Sequence, residues 1–138
     1  MEIVHETIIH VTPDKVYQAL TEQARIASWY AEDTQSEPRI GAVAEFRFNR
    51  GTIRVEITQL ETDHKVVWKV LQGLPGWAGM TGDITWLLTP YGNGTMINYI
   101  HQGWPTMDGP YPSVNFMSGR YVGRLKSYVE TGVAVSSS

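Results

Sequence analysis

The segment from Val114 to Thr131 limits the possible folds more than any other part of the chain. Val114, Met117, Tyr121, Val122, Leu125, Tyr128 and Val129 recur at three- and four-residue intervals, which places them on one stripe of a helix. Pro112 and Ser113 suit the entry, because the N–H that Pro lacks is unpaired at a helix start anyway. Gly132 suits the exit, where a left-handed residue is favoured. No other segment predicts a helix of this length, and the chain between Ile40 and Gly103 reads mainly as strand. A lone amphipathic helix must bury its stripe, and only a sheet is available to receive it. Gly119 and Gly123 each cost about 0.8–1 kcal/mol relative to Ala inside a helix. They lie one turn apart and mark a smooth groove, approached either by a neighbouring strand or by a ligand.

The rest of the chain supplies that sheet. Glu2 to Val11 is β-branched and reads as a first strand, with Ile3, Ile9 and Val11 on one side and Val4 and Ile8 on the other. Thr12-Pro13-Asp14 then offers an N-cap, a Pro at the first helical position and an acid in the first turn. Two short helices follow, the second ending at Trp29 and Tyr30, and residues 31–39 read as a loop. Period-two alternation then recurs at Ala44, Phe46 and Phe48, at Ile53, Val55 and Ile57, at Val66, Trp68 and Val70, at Ile84, Trp86 and Leu88, and at Ile97, Tyr99 and His101. Short turns join most of these strands, so neighbours are antiparallel. Gly73 to Gly82 is a glycine-rich loop carrying Trp77 and Met80, and Gly103 to Tyr111 is a connector carrying Trp104 and Met107. These four side chains are expected either to cover a cavity mouth or to plug the core from above. The predicted architecture is α+β: a curved antiparallel sheet wrapped around one long C-terminal helix, with two short helices after the first strand. Residues 1–132 form a single domain, and 133–138 form a short, frayed polar tail. One face of the sheet meets water and the other meets the helix, leaving more interior volume than one helix fills.

Composition narrows the function. The net charge is −3 and the basic residues are scattered, which argues against a nucleic-acid surface. No apolar run is long enough to span a bilayer, and the opening segment has a strand pattern instead of a signal sequence. There is no cysteine, so disulfides and thiolate chemistry are excluded and a cytoplasmic location is expected. Five Trp, seven Tyr and three Phe in 138 residues either fill the core or line a pocket for flat, apolar molecules.

Several segments resemble the START-like (SRPBCC) superfamily, in the branch similar to the activator of heat-shock-protein ATPase. They are Ile9-His10-Val11-Thr12-Pro13-Asp14-Lys15-Val16-Tyr17-Gln18-Ala19-Leu20-Thr21, then Ile26-Ala27-Ser28-Trp29-Tyr30, then Gly94-Thr95 with His101-x-Gly103-Trp104. The closing Arg124-Leu125-Lys126-Ser127-Tyr128-Val129-Glu130-Thr131-Gly132 resembles the end of the same branch. The resemblance implies a helix-grip fold with a hydrophobic cavity between sheet and long helix. Where that branch carries a Trp about two turns before the Leu-Lys, this chain has Met117-Ser118, which implies a wider or differently shaped pocket.

The expected function is binding of a small hydrophobic or aromatic molecule, with no cofactor and no metal. The expected ligand-binding residues are Trp29, Tyr30, Phe46, Phe48, Trp68, Trp77, Trp86, Tyr99, His101, Met117 and Tyr121. His101 and Tyr99 are also the candidates for acid/base catalysis of a cyclase, dehydratase or isomerase type; otherwise His101 is a core histidine. His5, His10, His64 and His101 lack metal-ligand spacing. Asp33, Asp83 and Asp108 lie in or beside loops, where solvation is their ordinary fate. Phe116, Arg120, Arg124 and Ser127 fall off the helix stripe and are either solvated or a self-association surface. A chaperone contact is the partner that the resemblance adds.

Overall fold

In a computed structural model describing residues 1–136, alternation becomes sheet wherever the sequence predicts it. β1 (Ile3–Ile9) is followed by α1 (Pro13–Thr21) and α2 (Gln23–Trp29). Then come β2 (Asp33–Gln35), β3 (Val43–Phe48), β4 (Gly51–Glu61), β5 (Lys65–Gln72), β6 (Ile84–Tyr91), β7 (Gly94–His101) and α3 (Tyr111–Thr131). All seven strands join one antiparallel sheet in the order β1-β7-β6-β5-β4-β3-β2. The predicted α+β helix-grip architecture is the observed one.

Three local readings change. Residues 31–39 are not all loop, because Asp33–Gln35 pairs with Glu45–Arg47 as an edge strand. Three residues are too few to show alternation, and what ties this edge is charge: Arg47 reaches Asp33 at 3.0 Å and Glu45 at 2.9 Å. Thr12 does not cap α1 with its side chain; its hydroxyl bonds the Asp14 carboxylate instead. The tail is not free throughout, since the Val135 amide donates to the Ser28 carbonyl at 2.7 Å. Positions 137–138 of the expected tail lie outside the described residues.

The core sits on the concave face. Ile3 and Ile9 point inward from β1 while Val4 faces out, which decides the face that the sequence left open. β4 loses register between Arg54 and Val55 and again between Ile57 and Gln59, and such bulges bend a strand and increase its twist. The stripe of α3 is buried at Val114, Tyr121, Val122 and Leu125, and α3 ends at Gly132 with φ +75°. The elements running close beside α3 are β1, α1 and α2. Gly119 serves the β1 approach: a Cβ there would stand 3.1 Å from the His5 ring, whereas a Cβ on Gly123 would meet nothing. At Gly119 the neighbouring strand makes the approach, and at Gly123 no part of the chain does. His5 completes the contact, its Nε2 lying 3.1 Å from both the Asn115 carbonyl and the Ser118 hydroxyl.

Candidate ligand pocket

Towards β4, β6 and β7 the space beside α3 is filled by side chains and by a pocket of about 300 Å³. At ~30 Å³ per molecule that is room for about ten waters. The first half of α3 forms one wall with Ser113, Val114, Met117, Ser118 and Tyr121. The sheet contributes Ile53, Trp86 and Tyr99, and the end of α2 contributes Tyr30. Arg50, in the β3–β4 turn, and Leu74, Gly76 and Trp77, in the glycine-rich loop, complete it. That loop forms a single 3₁₀ turn over Pro75–Trp77 that seats Trp77, and Ala78 behind it takes a left-handed conformation with φ +53°.

Of the side chains expected to bind a ligand, Tyr30, Trp77, Trp86, Tyr99, Met117 and Tyr121 line this pocket; Trp29, Phe46, Phe48, Trp68 and His101 do not. Phe46, Phe48 and Trp68 stand behind Tyr30, with ring centroids 5.0, 5.4 and 5.9 Å from it. Alternation placed them on the correct face, but Tyr30 covers them. Trp29 is held away by its indole N–H, which donates to the Ala19 carbonyl at 2.7 Å, and it meets the edge of Trp86 at 5.7 Å. These rings set the wall and do not touch the space.

His101 and Tyr99 share a face of β7, and no hydrogen bond joins them. His101 is fully buried, with Trp77 at 5.1 Å and Trp104 at 5.4 Å. Burial lowers its pKa to about 4, offset in part by the Gly82 backbone. Neither ring nitrogen has a hydrogen bond of acceptable geometry. Trp77, which lines the pocket, therefore covers His101 from one side, and Trp104 plugs the core on the other. Of the remaining loop residues, Met80 is half-buried with its sulfur accepting the Gly82 N–H, and Met107 is exposed. The two loops enclose a second cleft of about 670 Å³ between residues 77–82 and 103–110.

The polar groups of the lining residues are three phenols, two serines, two indole N–H groups and one guanidinium, and the Trp86 indole N–H is buried without a hydrogen bond. Burial raises the Tyr99 pKa, and burial together with the neighbouring Tyr99 and Tyr121 phenols raises that of Tyr30. Both phenols stay protonated and act as donors, and neither hydroxyl has a hydrogen-bond partner among the described residues. Arg50 Nη2 donates to the Tyr121 hydroxyl at 2.7 Å, and its guanidinium lies 5.2 Å from the Phe48 ring centroid. Sequence reasoning missed Arg50, Ile53, Leu74, Gly76, Ser113, Val114 and Ser118 as lining residues. Val114 and Ile53 were visible as inward-facing positions, but the turn Asn49-Arg50-Gly51 carried no signal beyond a turn. Among the described residues no group of His, Asp and Glu side chains is placed to hold a metal ion, and no helix is long and apolar enough to cross a membrane.

The same architecture recurs in solved structures. The solution structure of the Aha1 dimer from Colwellia psychrerythraea is 26% identical to this chain, superposes with a TM-score of 0.86, and is matched over 96% of this chain and 98% of its own. Protein MLL2253 from Mesorhizobium loti is 21% identical, with a TM-score of 0.79 over 92% of this chain and 95% of that one. DynU16, from the dynemicin biosynthetic locus, is 22% identical with a TM-score of 0.79, matched over 96% of this chain and 48% of its own. Comparison with curated proteins finds no match. The family model described as Activator of Hsp90 ATPase homolog 1-like protein matches residues 10–130. With nearly its whole length matched and its helix-grip fold shared, the chain belongs to the Activator of Hsp90 ATPase homolog 1-like family of the START-like superfamily.

Proposed function

We propose that this is a cytoplasmic protein whose pocket reversibly binds a small aromatic or hydrophobic molecule. The observation that carries the reading is the pocket itself. Five aromatic side chains surround about 300 Å³, the Tyr30 and Tyr99 hydroxyls have no protein partner among the described residues, and the indole N–H of Trp86, a lining residue, is buried without a hydrogen bond. The two hydroxyls face the open space, where a ligand acceptor can take the place of water. The volume sits at the low end for small-molecule sites. It is about twice the ~150 Å³ cavity that accepts a benzene ring, so one or two rings fit and a long acyl chain does not. The enzyme alternative has less support, because the phenols are held protonated and His101 lies outside the lining. Trp77 and Trp86 line the pocket, so a titration of one- and two-ring aromatics is expected to shift intrinsic fluorescence. Met117→Trp, which fills the space from α3, is expected to abolish the shift. A panel that moves nothing in the parent protein refutes the proposal.

A protein contact is a second reading, supported by Phe116. This side chain is 67% exposed on α3, and the Aha1 relative is a dimer. Sedimentation of the parent and Phe116→Asp tests self-association, and stimulation of a chaperone ATPase tests the other partner; a monomer without such stimulation removes this reading.

A further inference from the structure

We infer that the pocket selects an anionic aromatic, a ring system carrying a carboxylate that meets Arg50. The inference rests on the binding reading above and names the ligand's charge. Among the residues lining the pocket Arg50 carries the only formal charge, and no lining residue is acidic. The local sign is thus opposite to the net charge of −3. Elsewhere on the sheet, arginines face acids: Arg47 meets Asp33 and Glu45, and Arg54 lies 3.9 Å from Glu45. Arg50 has no carboxylate partner among the described residues. It is nevertheless held in place, by its bond to the Tyr121 hydroxyl and by its position over Phe48.

A guanidinium oriented in this way presents a donor fork that fits a carboxylate. One donor is committed to Tyr121, and the others remain for a ligand. Deeper in, the protonated Tyr30 and Tyr99 hydroxyls offer further donors, and the pocket supplies no carboxylate that would repel an anion. Ser113 brings the first turn of α3 to the same wall, and the positive end of the helix dipole acts in the same direction as Arg50. An apolar body with a negative group at the mouth satisfies all of these groups; a neutral ring leaves Arg50 to solvent and a cationic one meets repulsion.

The test compares naphthalene-1-carboxylate with naphthalene-1-carboxamide by calorimetry on the parent, Arg50→Met and Arg50→Lys proteins. The two probes share an apolar body and differ in charge. The carboxylate is expected to bind the parent roughly two- to fivefold tighter, the range for an ion pair at an exposed site. Arg50→Met keeps an aliphatic stem over Phe48 and is expected to remove that preference, weakening the carboxylate more than the carboxamide. Arg50→Lys is expected to retain part of it, and added salt to narrow it. Equal binding of both probes to the parent, or a preference that survives Arg50→Met, overturns this inference while leaving the pocket a binding site. Binding of neither probe overturns both.

Discussion

The burial of His101 makes stability depend on pH in a defined window. Its ring lies between Trp77 and Trp104 with both nitrogens unpartnered, so the folded protein accepts a proton there reluctantly. The pKa falls from the ordinary 6.5 to about 4. At 1.36 kcal/mol per pH unit this is worth roughly 3 kcal/mol. The sign follows from linkage: as the pH falls the unfolded chain takes up the proton first, so stability is lost. The stabilisation is complete above about 6.5, declines between 6.5 and 4, and changes no further once both states are protonated. Attraction of the imidazolium to the neighbouring indole rings opposes this loss and makes 3 kcal/mol an upper figure. Urea unfolding of the parent and of His101→Leu between pH 7.5 and 4 isolates the effect, because every other titration is common to both. The variant also removes two unpartnered buried nitrogens, so at pH 7.5 it is expected to lie within about 1 kcal/mol of the parent or above it. Towards pH 4 the difference should move by roughly 2–3 kcal/mol in the variant's favour. A difference that stays constant across the range refutes the assignment of a depressed pKa to this histidine.

Further outcomes test the packing. Gly123→Ala is expected to stabilise the protein by about 0.8–1 kcal/mol through helix propensity, since its Cβ meets nothing, while Gly119→Ala, whose Cβ presses on His5 at 3.1 Å, is expected to gain nothing or lose; thermal unfolding reads both. Gly82→Ala would place a Cβ 1.7 Å from the Gln102 carbonyl oxygen. Because that neighbour is backbone, the loop must move, at a cost of about 1–3 kcal/mol, with Trp77 fluorescence shifting towards that of an exposed indole.

The long helix and five of the strands were readable because each rests on a period, 3.6 for the Val114–Val129 stripe and 2 for runs such as Ile84, Trp86 and Leu88. β2 was not readable, since a three-residue edge tied by Arg47 has no period. The same contrast runs through the pocket. Alternation indicates that Phe46, Trp68 and Trp86 all face inward, but it does not say which of them a second ring covers. Tyr30 screens the first two and leaves Trp86 open, and that depends on how α2 ends against the sheet. Arg50 is harder still, because a turn residue reveals its task only when Tyr121, 71 positions later in the chain, is found beside it.

The pocket has its origin in that geometry. α3 is drawn to one side of the concave face, where Gly119 lets β1 approach closely and His5 is bonded to the helix. A rigid helix held against β1 cannot also touch the middle of a strongly curved sheet, so the gap must be bridged by long side chains. Tyr30, Trp68, Trp86 and Tyr121 bridge it, meeting one another edge to face or at a tilt with centroids 4.9–5.9 Å apart. Flat rings in such contacts cannot close every space, and Met117 and Ser118, facing them from α3, leave room that a bulkier helix residue would occupy. The volume thus follows from the offset of α3 and from two specific helix residues. Filling it from Met117 should therefore leave the β1–α3 contact at His5 intact.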